Sequence, residues 1–217
     1  MRGAIFDVDG TLLDSMEMWD HAGERYLAGR GIAASPELGK ILFPMTMSQA
    51  AEYMKAQFYL AESVGEIVEG VNRTIDHFYR YEVQPKPGAA DFLAKLEARG
   101  FLMTIATSSD HPLIEAALRR LDMFRYFKRI FTCSEMGTGK ERPEIYMAAL
   151  AFMGTEKSET WVFEDAVHAA KTAKAAGFRL AGVRDSSSES RQQELRELSD
   201  CYLTDFCDFN VFPIGKS

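Results

Sequence analysis

The amino-acid sequence predicts an α/β fold in which a Rossmann-like parallel sheet forms the core and an α-helical domain is inserted into it. Short apolar runs alternate along the chain with amphipathic stretches, and this order is typical of a parallel sheet with helices on both faces. The apolar runs contain few polar residues, as expected of parallel strands that are buried on both faces. Residues 15–85 interrupt the alternation, because they carry only helical patterns.

Six apolar runs are predicted as the strands of the sheet: 4–6, 101–106, 130–133, 161–163, 180–183 and 201–203. The stretches between the later runs have the apolar spacing of amphipathic helices. These helices are predicted over 89–99, 113–121, 144–152 and 166–176. Gly100, Gly154 and Gly177 follow three of them, and a glycine in this position commonly ends a helix.

The inserted segment is predicted as a separate helical domain over residues 15–85, and residues 1–14 and 86–217 form the α/β core domain. A crossover between parallel strands needs far fewer residues than this segment contains. Two capping-box patterns, Thr46 with Gln49 and Ser63 with Glu66, each predict the start of a helix inside it. Prolines at positions 85 and 87 make its exit a stiff hinge.

Composition and charge exclude several classes of protein. With 217 residues, 47% of them apolar, the chain can bury a sizeable core. The net charge of −7 disfavours nucleic acid and an anionic membrane as partners, since both bind basic surfaces. The three cysteines lack a disulfide framework, so buried core thiols in a reducing compartment are expected. Without a leader pattern or a membrane-spanning apolar run, we expect a cytoplasmic protein, and a monomer is compatible with the sequence.

Chemically reactive side chains follow four of the predicted strands. In sheets of this kind, ligands bind beyond the carboxyl ends of the strands, so residues at these ends are candidates for one common site. They are Asp7 and Asp9 after the first strand, Thr107 and Ser108 after the second, Lys140 after the third, and Glu164 with Asp165 after the fourth. Gly10 permits a tight backbone turn directly after the first strand.

The candidate acids predict a metal site for an anionic substrate. Asp7 and Asp9 alternate along the strand end, so both side chains can lean toward the same side. Two neighbouring carboxylates repel each other and any anionic ligand unless a cation bridges them. Hard oxygen ligands suit Mg²⁺, which proteins bind through a few carboxylates together with a substrate phosphate. Glu164 and Asp165 would complete the oxygen shell.

Segment 7–12, with the sequence DVDGTL, resembles the first motif of the haloacid dehalogenase superfamily of phosphotransferases. Thr107, Lys140 and the pair of Glu164 with Asp165 match the second, third and fourth motifs in order and spacing. The resemblance covers essentially the whole chain, and the insertion is similar to the α-helical cap domain of the β-phosphoglucomutase and phosphoglycolate phosphatase branch. The third motif departs from the family pattern, because proline follows Lys140 only at position 143.

The resemblance implies a phosphatase with Mg²⁺ as its cofactor. Asp7 would attack phosphorus and become an aspartyl phosphate, and Asp9 would protonate the leaving alkoxide and then activate water. The residues implied to bind phosphoryl oxygens are Thr107, Ser108 and Lys140. The implied metal ligands are Asp7, the main-chain carbonyl of Asp9, Glu164 and Asp165.

Three functions stay open, with hydrolysis of a small phosphorylated metabolite favoured. One alternative is a sugar-phosphate mutase of the same family, whose cap carries an arginine for a second phosphate, but loop 42–47 contains no arginine. The other is a non-catalytic relative that only binds phosphate or a partner protein. The presence of both Asp7 and Asp9 counts against that alternative.

Apolar residues are concentrated early in the insertion: Met16, Met18, Trp19, Phe43, Met45 and Met47. Packing in the core of the inserted domain is the more common role of such side chains. The alternative is an apolar lid that faces the leaving group of a substrate.

Overall fold

The computed structural model describes residues 2–42, 45–207 and 209–213 of the chain. The chain divides into two compact units: a core unit of Met1–Asp14 and Val83–Ser217, and a helical unit of Ser15–Glu82. Residues 83–85, which the sequence pattern placed in the insertion, therefore belong to the core unit. Main-chain pairing is the reason, because the Asp14 N–H donates to the Gln84 carbonyl over 2.9 Å and Leu13 pairs with Pro85.

In the described part of the core unit, six parallel strands form one sheet in the order β3-β2-β1-β4-β5-β6. The strands are β1 (Arg2–Phe6), β2 (Phe101–Thr107), β3 (Phe127–Thr132), β4 (Thr160–Glu164), β5 (Arg179–Val183) and β6 (Cys201–Leu203). This topology confirms the predicted Rossmann-like α/β fold. Because β1 lies between β2 and β4, the carboxyl ends of these three strands adjoin one another.

The third strand ends one residue earlier than predicted, because Cys133 is the first residue of a short helix. The Glu135 N–H donates to Thr132 Oγ1 over 3.1 Å, and the Thr132 N–H donates to Glu135 Oε2 over 3.3 Å. This capping box ends the strand, since it pairs N–H groups that the first turn of a helix otherwise leaves unpaired.

The helical unit contains α1 (Met16–Ala28), α2 (Leu38–Leu42), α3 (Met47–Phe58) and α4 (Val64–His77), followed by a π-helical turn at Phe78–Glu82. Both predicted capping boxes are confirmed. The Gln49 N–H donates to Thr46 Oγ1 over 3.3 Å at the start of α3, and the Glu66 N–H donates to Ser63 Oγ over 3.3 Å at the start of α4. The side chains of Gln49 and Glu66 accept main-chain N–H groups in return.

The core unit contains α5 (Ala89–Glu97), α6 (His111–Arg120), α7 (Cys133–Met136), α8 (Glu144–Met153), α9 (Val167–Ala175) and α10 (Gln192–Leu198). Short 3-10 helices lie at Phe124–Tyr126, Lys157–Glu159, Ser186–Arg191 and Phe209–Val211. Successive residues of β1 enter different apolar clusters, because side chains alternate between the faces of a sheet. Ile5 belongs to a cluster with Tyr146, whereas Phe6 stacks on Phe163 with ring centroids 4.1 Å apart.

The apolar residues early in the helical unit divide into two groups. Met18 is buried, as packing of the domain core predicts. Four others line an apolar cavity of about 290 Å³: Met16, Trp19, Met45 and Met47. Core packing therefore accounts for Met18, and the four others border a cavity within the same unit. Phe43 lies outside the described residues.

Two further expectations concern the burial of the cysteine thiols and the presence of membrane-spanning helices. Burial of the cysteine thiols is found only for Cys201, since Cys133 is half-buried and Cys207 is exposed on the segment after the last strand. All three thiols are free. Within the described ranges, no helix combines the length and the apolar character that a membrane span requires.

Candidate active site

The carboxyl ends of β1 and β4 bring three acids together. Asp7 directly follows β1, and its N–H donates to the Phe163 carbonyl over 3.0 Å, which continues the pairing of the two strands. Glu164 is the last residue of β4, and Asp165 follows it. Among the described residues, these three carboxylates form one group, with one oxygen of each within 4.8 Å of the others. All three side chains are buried.

The ammonium of Lys140 joins this group of acids. Its Nζ contacts Oδ1 of Asp7 and lies 2.5 Å from Oε1 of Glu164. Lys140 is only 5% exposed, so it is a buried cation rather than a solvated surface lysine. The loop that carries it begins at Gly137, whose φ of +66° ends helix α7 in a conformation that favours glycine.

Two side chains that the sequence patterns did not mark as site residues hold the acids in place. The Tyr146 hydroxyl on α8 donates to Oε1 of Glu164 over 3.2 Å, and the Thr11 hydroxyl donates to Oδ1 of Asp165 over 2.9 Å. The main-chain N–H of Ala166 donates to Oε2 of Glu164 over 3.3 Å. A tyrosine inside an otherwise apolar helix is the available signal in the sequence, since a buried hydroxyl needs a hydrogen-bond partner.

Asp9 lies on the turn after β1, and its carboxylate is not part of the group of three. The turn is tight, because the N–H groups of residues 11–13 all donate to the Val8 carbonyl. Gly10 has a φ of +79° there, which confirms the prediction that glycine permits this turn. The Asp9 side chain is partly exposed, and its Oδ2 accepts a hydrogen bond from Ser109 Oγ over 2.6 Å.

Thr107 and Ser108 lie at the end of β2, which pairs directly with β1. Thr107 is fully buried, and its Oγ1 accepts a hydrogen bond from the Ser109 N–H over 3.1 Å. The residue that precedes helix α6 as its N-cap is Asp110, so a capping role does not explain Thr107. Ser108 is exposed, and its Oγ lies 3.5 Å from the Cys133 sulfur.

The site buries more negative charge than positive charge. Three carboxylates surround one ammonium, which leaves a formal charge of −2 when all are ionised. Burial raises the pKa of Asp7 to about 7, aided by the charges of Glu164 and Asp9 and opposed by Lys140. Burial likewise raises the pKa of Asp165.

The acids in contact with Lys140 stabilise its protonated form. Burial by itself lowers a lysine pKa, but the neighbouring charges of Asp7 and Glu164 outweigh it, and the pKa of Lys140 lies well above its ordinary value. The site therefore keeps its cation, while the raised pKa values of Asp7 and Asp165 oppose their ionisation. A divalent cation would offset the remaining negative charge, and a set of buried carboxylate oxygens has the ligand chemistry that Mg²⁺ prefers. The residues present thus fit the predicted metal.

The chain resembles known proteins over most of its length. The family model for haloacid dehalogenase-like hydrolase matches residues 1–177, which include every candidate site residue. The phosphorylated carbohydrates phosphatase of Thermotoga maritima is 24% identical, with 88% of this chain and 89% of that protein aligned. Hexitol phosphatase B of Escherichia coli is 25% identical, with 96% and 94% aligned.

Solved structures show the same fold. A crystal structure from Thermotoga maritima, provisionally named a β-phosphoglucomutase, superposes with a TM-score of 0.83 at 23% identity and covers 94% of each chain. CbbY from Rhodobacter sphaeroides, solved in complex with phosphate, has a TM-score of 0.73 at 23% identity and covers 96% of each chain. At this identity the likeness concerns the fold alone.

Proposed function

Since this chain belongs to the haloacid dehalogenase-like hydrolases and resembles phosphatases, we propose that it is a Mg²⁺-dependent phosphatase. It hydrolyses a small phosphorylated sugar or sugar alcohol through an aspartyl phosphate on Asp7. One observation carries the proposal: Asp7 is buried at the centre of the sheet edge, in contact with Lys140 and grouped with Glu164 and Asp165. The substrate class rests on the relatives named for phosphorylated carbohydrates and hexitol.

Asp7 is the nucleophile in this proposal. A carboxylate oxygen of Asp7 forms a bond to phosphorus, and the bond between phosphorus and the ester oxygen of the substrate breaks. Lys140 holds Oδ1 of Asp7, which fixes the orientation of the carboxylate before the substrate arrives. The pKa of Asp7 is raised by burial, so a nearby cation, which lowers it, makes the anionic nucleophile available at neutral pH.

Asp9 transfers protons in both steps. It gives a proton to the leaving alkoxide, so that a neutral alcohol departs while the phosphoryl group stays on Asp7. In the second step Asp9 takes a proton from water, whose oxygen attacks phosphorus and releases inorganic phosphate and free Asp7. Its position on a partly exposed turn, outside the buried group of acids, suits a group that must exchange protons with substrate and water.

The phosphoryl oxygens are bound by groups at the ends of neighbouring strands. Lys140 has three N–H donors, and contacts with Asp7 and Glu164 use two of them, which leaves one for a phosphoryl oxygen. The Thr107 oxygen accepts the Ser109 N–H, so its own hydroxyl proton can be donated to phosphate. Ser108 adds an exposed hydroxyl on the same segment.

The residues that would hold Mg²⁺ are Asp7, Asp165, Glu164 and the main-chain carbonyl of Asp9. When bound, Mg²⁺ offsets the charge that develops on the phosphoryl oxygens. Thr11 and Tyr146 keep the carboxylates of Asp165 and Glu164 oriented for this role.

Contacts within the helical unit favour a phosphatase over a sugar-phosphate mutase. A mutase holds a second phosphate, and a desolvated phosphate needs a cation. All six lysine and arginine side chains of residues 15–82 contact acids or main-chain carbonyls instead. Five form ion pairs: Arg25 with Glu82, Arg30 with Glu62, Lys40 with Glu37, Arg73 with Glu69 and Arg80 with Asp76. Lys55 donates to the carbonyls of residues 60–62.

A substrate screen tests the proposal. The purified protein is incubated with hexose phosphates, hexitol phosphates and other small phosphate monoesters, with MgCl₂ or with EDTA, and released phosphate is measured. We expect Mg²⁺-dependent release from at least one sugar or hexitol phosphate. Absence of release from every ester in MgCl₂, or equal rates in EDTA, would contradict the proposal.

A further inference from the structure

Ser109 connects the ends of two strands of the candidate site. It lies two residues after the end of β2, and its hydroxyl donates to Oδ2 of Asp9 over 2.6 Å. Its main-chain N–H donates to Oγ1 of Thr107 over 3.1 Å. Ser109 is only 9% exposed, whereas Asp9 is partly exposed, so the contact lies at the edge of the buried site.

The length and the surroundings of this contact distinguish it from an ordinary surface hydrogen bond. A distance of 2.6 Å lies in the range of hydrogen bonds from a hydroxyl to an ionised carboxylate, which are about twice as strong as bonds between neutral groups. The neighbouring Ser108 is exposed and lies against Cys133 instead. Of the two adjacent serines, it is therefore Ser109 that engages Asp9.

We propose that Ser109 is a positioning residue for Asp9, and that it orients the carboxylate for proton transfer to the leaving group. The inference rests on the proposed function, in which Asp9 protonates the departing alkoxide. By holding Oδ2, the Ser109 hydroxyl restricts rotation of the carboxylate, on a turn where the side chain is otherwise partly exposed. Restricting a proton donor in this way raises the share of encounters in which it faces the ester oxygen.

Segment 107–109 contacts both the proposed phosphate site and the proposed proton donor, Asp9. Thr107, whose hydroxyl is assigned to a phosphoryl oxygen, is tied to the main chain of Ser109, and the side chain of Ser109 is tied to Asp9. A serine hydroxyl can both donate and accept. The contact can therefore persist when Asp9 carries the proton and when it has released it.

The reactivity of two kinds of ester tests the proposal. The p-nitrophenolate ion leaves without a proton, whereas a sugar alkoxide needs one, so only the sugar ester depends on Asp9 as an acid. The quantity to compare is kcat/KM. It reports only the steps up to the first irreversible one, so hydrolysis of the aspartyl phosphate does not affect it. The probes are p-nitrophenyl phosphate and the most reactive member of a panel of hexose 6-phosphates and hexitol 6-phosphates.

For Ser109→Ala we expect kcat/KM to fall about tenfold with the sugar ester and less than about twofold with the aryl ester, since hydrogen bonds to charged groups have roughly this strength. Ser108→Ala is the matched control, because loss of a phosphate contact should lower kcat/KM by the same factor for both esters. Equal losses on the two esters for Ser109→Ala would overturn the proposal. Ser109→Thr keeps the hydroxyl and should keep the wild-type ratio of kcat/KM for the sugar ester to kcat/KM for the aryl ester. A ratio like that of Ser109→Ala would also overturn the proposal.

A double-mutant cycle separates this inference from the proposed function. In an Asp9→Asn background, Ser109→Ala should change kcat/KM for the sugar ester less than about twofold, because a residue that acts through Asp9 has nothing left to orient. A full tenfold loss in that background would refute the positioning role. If Asp9→Asn itself leaves the ratio of the two esters unchanged, the acid role of Asp9 in the proposed function fails instead.

Discussion

Lys140 and Glu164 form an ion pair of 2.5 Å between Nζ and Oε1, and both side chains are almost completely buried, with 5% and 1% exposed. Lys140 also contacts Asp7, so one cation serves two acids inside the core unit. Buried charges are costly unless they are paired, and here the acids outnumber the cation. Burial raises the pKa values of Asp7 and Asp165, and the neighbouring acids raise them further. The predictions on the metal and on pH rest on these two effects.

Asp7→Asn should abolish covalent catalysis while the fold is kept, because asparagine has nearly the same size and cannot form an acyl phosphate. We expect phosphate release to fall at least about a thousandfold, as for the loss of other covalent nucleophiles. Phosphate release and thermal unfolding are measured together. Asp122→Asn is the control, since its side chain is 78% exposed and should leave activity unchanged. Turnover close to wild type in Asp7→Asn would exclude the aspartyl phosphate.

Without metal, the contribution of Asp7 to the stability of the protein should become less favourable as the pH rises from about 4 to about 8. The pKa of Asp7 rises from 3.8 to about 7 on folding, so between these values the folded protein holds a proton that the unfolded chain has released. That difference corresponds to roughly 4 kcal/mol at most. The pKa of Asp165 is also raised on folding. Urea unfolding in EDTA measures the effect.

Asp7→Asn isolates the contribution of Asp7 to this pH dependence. The variant has no carboxyl group to titrate at that position, so its stability relative to wild type should increase as the pH rises. A constant difference between the two proteins over this range would show that the pKa of Asp7 is not raised. Saturating MgCl₂ should reduce the pH dependence of the wild type, because a bound cation favours the ionised carboxylates.

Asp165→Asn should weaken Mg²⁺ binding more than catalysis at saturating metal. The variant loses a charged ligand but keeps an oxygen that can accept from the Thr11 hydroxyl. We expect the Mg²⁺ concentration for half-maximal activity to rise at least about tenfold, in line with the loss of a charged ligand. The rise in melting temperature on adding MgCl₂ gives an independent measure. Unchanged Mg²⁺ affinity would remove Asp165 from the ligand set.

Thr46→Ala should destabilise the protein by about 1 kcal/mol, since it removes the side chain that caps helix α3. Ser48→Ala, in the exposed first turn of the same helix, is the matched control. It should cost little, because alanine is the better helix former. Free energies of unfolding from urea titrations distinguish the two. Equal costs would mean that the Thr46 cap contributes no stability.

Incubation with β-glucose 1-phosphate, Mg²⁺ and a trace of glucose 1,6-bisphosphate should yield inorganic phosphate faster than glucose 6-phosphate, or no reaction. The reason is that the basic side chains of the helical unit are engaged with acids or main-chain carbonyls, so none is set aside for a second phosphate. Both products are followed over time. Conversion to glucose 6-phosphate that outpaces phosphate release would assign the protein as a mutase.

Features that depend on neighbours in sequence were determined by the sequence itself. The capping boxes at Thr46 and Ser63 join residues three apart, so their patterns predicted the observed hydrogen bonds. The apolar runs predicted the parallel sheet, and the residues after four of the six runs predicted the candidate site. The helical unit ends at Glu82, three residues before the predicted boundary at residue 85, and the pairing of Leu13 with Pro85 leaves no trace in a local pattern.

Only the tertiary structure decided which of these residues touch. The strand order places β1 between β2 and β4, and this brings Asp7 to Glu164 and Asp9 to Ser109, residues that are more than 90 positions apart in the chain. The pairing of Lys140 with two acids likewise depends on the path of its loop and on side-chain orientation. Sequence periodicity fixes the face of a strand or helix that a side chain occupies. The partner that it meets there is set by how distant elements pack, and hydrogen bonds and pKa values follow from that packing.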